Sequence, residues 1–273
     1  MLWLPILLLI TFINYIHVGT SLIVENLHKS YGDVKAVNGL SFQVEEGMIY
    51  GLLGPNGAGK TTTLNVVSGV LERDSGRVLV YGYDPAVNER KVKSLIGYVP
   101  EEQALYESLT PREFFEFVAS VRGMDKSLAS ERVKLLVDAF SLQEYFETPI
   151  ISLSMGTRQK VSIISALIHK PSLLILDEPF IGLDARTVAI MKGIIREHVK
   201  EGGSVLFSTH IMEVAEKICT KIGIIHRGRL VAEGSVLELT SMVEAPNLEK
   251  IFLKVTGEEE EVSRIIRGLD ESL

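Results

Sequence analysis

The sequence predicts an α/β fold, a mixed sheet covered by helices, with a small antiparallel β subdomain and an inserted α-helical subdomain. Three observations carry this expectation. A glycine-rich loop, Gly54 to Thr61, stands between a buried-strand run, Met48 to Leu53, and a helical run, Thr62 to Val70. After Pro171, strand and helix patterns alternate, which is how a parallel sheet covered by helices is built. From about Leu105 to Leu167, helical patterns follow one another with hardly any strand character.

Taken in order, the first nineteen residues, MLWLPILLLITFINYIHVG, are apolar and carry no charge. They lack the basic start of a secretory signal. Pro5, Asn14 and His17 interrupt what would have to be about 20 apolar residues to span a bilayer. Three readings stand open: a mis-assigned start with the chain proper beginning near Ser21 to Val24, a membrane-associated anchor, or a cleaved signal. Ser21 to Leu27 and Lys35 to Val44 are β-like runs punctuated by Tyr31-Gly32-Asp33 and Glu46-Gly47, and read as a small antiparallel sheet. Arg77 to Gly82 adds a strand to it. Thr110-Pro111-Arg112-Glu113 is a capping box with proline at the first helical position, so a helix should run from Thr110 towards Val121. A second helix covers roughly Leu128 to Phe140. Ser172 to Pro179 reads as strand, Ala185 to Lys200 as helix, Gly203 to His210 as strand, a helix passes through Val214, and Lys221 to Gly234 returns to strand. The expected organisation is an N-terminal extension over 1–20, a main α/β domain over 21–240 with its helical subdomain at about 105–167, and a short tail over 241–273. Glu258 to Glu261 reads as a solvated acidic run.

At 273 residues with 46% hydrophobic content, the chain can bury a substantial core. Its 28 Lys and Arg against 35 Asp and Glu give a formal charge of −7, so no nucleic-acid partner is expected. The single cysteine, Cys219, lies in an apolar pattern and reads as a buried small hydrophobe, which excludes a disulfide framework.

The loop carries the chemistry. Gly54-Pro55-Asn56-Gly57-Ala58-Gly59-Lys60-Thr61 fits the phosphate-binding pattern G-x-x-x-x-G-K-[ST], the mark of a P-loop NTPase core. Its glycines let the backbone turn tightly and point N–H groups at phosphate oxygens. Lys60 supplies a charge to the β- and γ-phosphates of ATP, Thr61 offers its hydroxyl to Mg²⁺, and the following helix, with Thr62 in its first turn, aims its positive end at the anion. Such loops need a carboxylate at the end of a buried strand. Leu173 to Leu176 followed by Asp177 provides it, and Glu178 is placed to activate the water that attacks the γ-phosphate.

With those motifs the chain resembles the nucleotide-binding subunit of ATP-binding cassette (ABC) transporters, over roughly Leu22 to Gly257. Leu153-Ser154-Met155-Gly156-Thr157 looks like the family's LSGGQ signature, with Met155 where glycine and Thr157 where glutamine are usual. Asp184 resembles the D-loop aspartate, His210 the switch histidine, and Tyr31 the aromatic on which adenine stacks. Glu101 occupies the Q-loop position, usually glutamine, where a carboxylate can touch the metal or its water. Gln103 is two residues late and receives no role. The resemblance implies that Ser154 and Gly156 are offered to ATP held by a second ABC subunit, most simply a copy of the same chain. It also implies a separate integral membrane permease, with this subunit peripheral on the cytoplasmic face of the membrane. Leu248 to Gly257 looks like the short ending of export-type cassettes. The alternatives are a soluble cassette ATPase acting on ribosomes or DNA, and a non-hydrolysing regulatory cassette, against which Glu178 and His210 both argue.

Overall fold

The structure is a computed structural model that describes residues 19–243, 245–260 and 264–265. The three readings of the apolar N-terminal stretch therefore fall outside the described residues, as do Glu261 of the acidic run and 266–273 of the tail.

Short apolar runs with alternating burial become strands. β1 (Thr20–Tyr31) pairs antiparallel with β2 (Val34–Glu45) on one side and with β4 (Ser75–Val80) on the other, in the order β2-β1-β4. Leu22 and Val24 lie on one face of β1 and Phe42 and Val44 on the facing part of β2, all buried, as a period of two requires.

β3 (Ile49–Leu53) and β6 (Leu173–Asp177) are buried at every position, the pattern of strands with both faces covered. They belong to a six-stranded sheet with β5 (Ile96–Val99), β7 (Ser204–Thr209), β8 (Lys221–His226) and β9 (Arg229–Gly234), ordered β5-β6-β7-β3-β8-β9. All its pairings are parallel except β8 with β9. The run Lys221 to Gly234 thus departs from the parallel alternation and folds back as a hairpin. Arg227 and Gly228 at its turn both have positive φ, 48° and 75°, as a tight two-residue hairpin turn demands.

The helices are α1 (Lys60–Val67), α2 (Glu89–Leu95), α3 (Pro111–Val121), α4 (Lys126–Ala139), α5 (Met155–Leu167), α6 (Ala185–Lys200), α7 (Met212–Ile218), α8 (Val236–Val243) and α9 (Leu248–Thr256). The capping box at α3 forms as its sequence requires: Glu113 N donates to Thr110 Oγ1 at 3.2 Å and Thr110 N to Glu113 Oε2 at 2.8 Å. α4 begins two residues before the expected Leu128, because Asp125 caps it by accepting from Leu128 N at 3.0 Å. α1 ends at Val67, short of the expected Val70, where Gly69 takes a φ of 74°.

The sheet separates two cores. Leu174, Leu176, Val205 and Phe207 pack with Phe114, Phe115, Phe140 and Val161 of the helical block. Leu173, Ile175 and Leu206 point the other way, into a core shared with α1 and the antiparallel sheet. A third cluster joins Leu53, Ile222 and Ile224 to Leu248, Ile251 and Phe252 of α9. Cys219 packs at the edges of the first and third clusters, and burial pushes its thiol up to about 12, which suits the inert reading.

Candidate active site

β3, β6 and β7 run parallel side by side, with Leu53 opposite Thr209 and Asp177 opposite Ser208. Their carboxyl ends therefore stop at one level. The residues that follow, Gly54, Glu178 and His210, emerge on one rim, the edge where ligands bind in open α/β sheets.

From β3 the glycine loop turns into α1. At Gly59 the backbone has a φ of 105°, and a Cβ there would sit 2.3 Å from the carbonyl oxygen of Ala36. At Gly54 a Cβ would meet Ile225 O at 2.3 Å. The loop is thus wedged between two other backbones. Ala58 O accepts from Gly228 N at 2.9 Å, so the β8–β9 hairpin turn also braces it. Pro55 is half-buried and Asn56 exposed at the tip, while Thr61 and Thr62 are half-buried in the first turn of α1. Lys60 is buried, and its Nζ donates to Gly54 O at 2.9 Å and Pro55 O at 3.2 Å, with Glu178 Oε1 at 3.7 Å. A lysine whose ammonium is held by two loop carbonyls can exchange them for phosphate oxygens without leaving its place.

The two carboxylates have different surroundings. Asp177 is fully buried; Ser208 Oγ donates to its Oδ1, while Oδ2 has no hydrogen-bond partner. Burial above all, with the nearby carboxylates of Glu101 and Glu178, pushes its pKa above the usual carboxylate range, opposed by the hydroxyls of Ser208 and Thr61. Glu178 accepts from Thr209 Oγ1 at 3.0 Å through Oε2, and its Oε1 lies 2.8 Å from His210 Nδ1. The His210 side chain is 43% exposed, so it stands at the mouth of the site with Glu178 behind it.

The other expected residues divide. Glu101 is brought to the loop, where its Oε2 accepts from Thr61 Oγ1 at 3.3 Å. Tyr31 is 52% exposed, with Lys29 Nζ 5.9 Å from its ring centroid. Ser154 caps α5: its Oγ accepts from Thr157 N at 3.3 Å and pairs with Thr157 Oγ1 at 2.9 Å. Gly156 packs so closely that a Cβ would meet Gly182 O at 2.4 Å. Asp184 caps α6 through Thr187 N at 2.8 Å and Thr187 Oγ1 at 2.9 Å, bonds that hold its carboxyl at about 2, helped by Lys160 Nζ at 3.5 Å. Among the described residues, no hydrogen bond or ion pair links Ser154, Gly156, Asp184 or Tyr31 to the glycine loop.

Sequence reasoning passed over four polar residues here. Ser208 and Thr209 were legible as hydroxyls just before His210, and they turn out to hold Asp177 and Glu178. Gln103 was noted without a role, and Gln159 was not legible. Gln159, buried in α5, accepts from Gln103 Nε2 at 2.8 Å and donates to Pro179 O at 3.2 Å. It thereby ties the Glu101 segment to the residue after Glu178. The faint signal was a glutamine on the inward face of an otherwise apolar helix.

Comparison with known proteins gives the family. The ABC transporter family matches residues 37–181, more than half of the chain. The chain belongs to that family. It is therefore an ATP-binding cassette and an ATPase by family. The linearmycin resistance ATP-binding protein LnrL of Bacillus subtilis is 37% identical over 245 residues, covering 90% of this chain and 78% of that one. The Nod factor export ATP-binding protein I of Burkholderia lata is 37% identical over 210 residues, covering 77% and 69%. A solved ATP-binding subunit of an ABC transporter superposes with a TM-score of 0.83 at 30% identity, covering 87% of this cassette and all of that chain.

The rim of the cassette also fits a divalent cation. Thr61 Oγ1, which bonds Glu101 Oε2, and the buried Asp177, whose Oδ2 has no partner and whose carboxyl faces both, are oxygen donors meeting at the start of α1. Among the described residues, no three His, Cys, Asp or Glu side chains gather as a metal cage. One or two carboxylates, a hydroxyl and substrate phosphates is the donor set that suits Mg²⁺.

Proposed function

We propose that the chain is the ATP-hydrolysing subunit of an ABC exporter, and that two subunits close head to tail over two ATP molecules to drive a separate membrane permease. The observation that carries the reading is the split of the site. Gly54 to Thr62, Asp177, Glu178 and His210 meet on one rim, while Ser154 and Gly156 present a capped helix start elsewhere on the same chain. Such a helix start is an anion site, and a second subunit's γ-phosphate is the anion it would meet.

In this reading Lys60 moves from the loop carbonyls to the β- and γ-phosphates, and Tyr31 stacks on adenine. Thr61, Glu101 and Asp177 would hold Mg²⁺, which would supply positive charge to the phosphates. Glu178 takes a proton from the attacking water through Oε1, and His210 keeps that carboxylate oriented. Asp184 anchors the segment between Glu178 and α6. The domain limits follow the same division, with 21–240 as the ATPase, 105–167 as the helical subdomain that transmits motion, and 241–273 as the tail.

Among the described residues no helix is long and apolar enough to cross a membrane, which suits a subunit seated peripherally on the cytoplasmic face beside a permease. Export is supported by relatives named for resistance and export. The test is to purify a tagged Glu178→Gln form from detergent-solubilised native membranes with ATP and identify what accompanies it. A stoichiometric integral membrane protein is expected. Ribosomal or DNA-bound partners without one would replace this reading with a soluble motor.

A further inference from the structure

The antiparallel sheet ends unevenly around Tyr31. On one side its ladder runs to the end of β1, where Tyr31 lies opposite Val34 of β2. On the other side the pairing with β4 stops at His28 opposite Ser75. Ser30 lies beyond that last pair, and a side chain takes the place of the missing strand: Asp74 Oδ2 accepts from Ser30 N at 2.7 Å. Asp74 reaches it because β1 carries one residue more than β4 between the pairs Glu25–Arg77 and His28–Ser75. Asn26 inside this bulge has a φ of 46°, and at Gly76, with a φ of 94°, a Cβ would lie 2.3 Å from Asn26 O. Bulges re-aim the strand that follows. This one aims the last residues of β1 at the residue before β4.

Two more bonds join Asp74 to the same strand end. Its backbone N donates to His28 O at 3.0 Å, and its Oδ1 accepts from Lys29 Nζ at 3.1 Å. Lys29 first, and the Ser30 N–H next, hold the Asp74 carboxyl below the ordinary carboxylate range. Lys29 and Tyr31 share a strand face, two residues apart, and the ammonium that Asp74 holds lies 5.9 Å from the centre of the Tyr31 ring, within cation–π reach. The ring is half-exposed, and its hydroxyl enters no hydrogen bond among the described residues, so the strand end and Lys29 set its pose. Val34 opposite Tyr31 leads within two residues to Ala36, whose carbonyl confines Gly59. A ring fixed at this hairpin tip is therefore fixed relative to the phosphate loop.

We infer that Asp74 is a positioning residue for the adenine base: by holding Ser30 and Lys29 it sets the Tyr31 ring and keeps the ammonium on one face, leaving the other face for the base. The inference rests on the Tyr31 stacking reading above and adds what orders the ring before ATP arrives. Ordering it in advance removes part of the cost of binding.

The test is equilibrium binding by calorimetry on the full chain, in the Glu178→Gln background so that ATP persists. The probes are ATP with Mg²⁺ and inorganic tripolyphosphate with Mg²⁺, which offers phosphates without a base. Tyr31→Ala should weaken ATP about tenfold, Asp74→Ala at least about threefold, and the double variant no more than Tyr31→Ala alone. Tripolyphosphate should bind all of them as it binds the parent, which also reports that each is folded. Asp74→Ala that weakens both probes alike, or weakens ATP equally with and without Tyr31, or weakens neither, would overturn the inference and leave the stacking reading standing. Tyr31→Ala that binds ATP as the parent does would overturn the stacking reading and the inference with it.

Discussion

At Glu178 the backbone takes a φ of 47°, a left-handed conformation uncommon outside glycine and worth about 1–3 kcal/mol of local strain. Ser208 O accepts from its N–H at 3.2 Å, and Thr209, His210 and Lys60 surround its carboxylate, so the neighbourhood over-determines the pose. Replacing Glu178 with Gln keeps the shape and removes the base. Phosphate-release kinetics should show kcat lower by about 10²–10⁴-fold, with nucleotide affinity near native by equilibrium binding. Unchanged turnover would remove Glu178 from the mechanism. Gly59→Ala places a methyl 2.3 Å from Ala36 O in an unfavourable φ, so nucleotide binding should be lost and Tm lowered in a melting experiment with and without ATP. Lys60, Asp177 and Glu178 were legible because each sits within a contiguous motif. Gln159 was not, because its partners Gln103 and Pro179 are brought to it only by packing.

Elements carry their own signals. The capping box of α3 was readable in four residues because its bonds are local, and Thr110→Ala should cost about 1 kcal/mol, seen as a lower urea midpoint at unchanged slope. Gln159→Leu leaves the Pro179 carbonyl and the Gln103 amide without their partner, so kcat should fall more than nucleotide affinity does. Equal affinity and equal kcat would show that the tie between α5 and the rim carries no catalytic weight. His169 bonds Ile96 O at 2.9 Å and links the end of the helical block to β5. Its folded value of about 4 lies below the ordinary 6.5, so the unfolded chain takes the proton first. Stability is therefore full above about pH 6.5 and falls as the pH drops from there towards 4. Tm measured at pH 7.5 and 5.5 should differ less in His169→Gln than in the native chain. The hairpin β8–β9 was harder to read, since Arg227-Gly228 is a short break in one continuous β-like run.

At the scale of the molecule, the proposed reaction needs the rim of one subunit and the start of α5 of another. Glu178→Gln with ATP should elute as a dimer by size-exclusion chromatography with light scattering, and as a monomer without nucleotide. Adding Ser154→Arg, a large charge at the start of α5, should hold that variant monomeric while leaving ATP binding intact. A dimer that persists would take Ser154 out of the closing interface.

The sequence by itself determined the class of fold, the phosphate-binding loop and the acids that follow a buried strand. These are written in contiguous residues, as strand and helix periods, glycine spacing and caps. Tertiary structure alone decided which strands lie side by side, and so why Gly54, Glu178 and His210 share a rim: the register sets Leu53 of β3 beside Thr209 of β7, and Asp177 of β6 beside Ser208. It alone also decided that Gly54 and Gly59 are squeezed by distant carbonyls and that Gln159 bridges two segments. A contact between residues far apart in the chain leaves no pattern at either one, because it depends on how the layers pack.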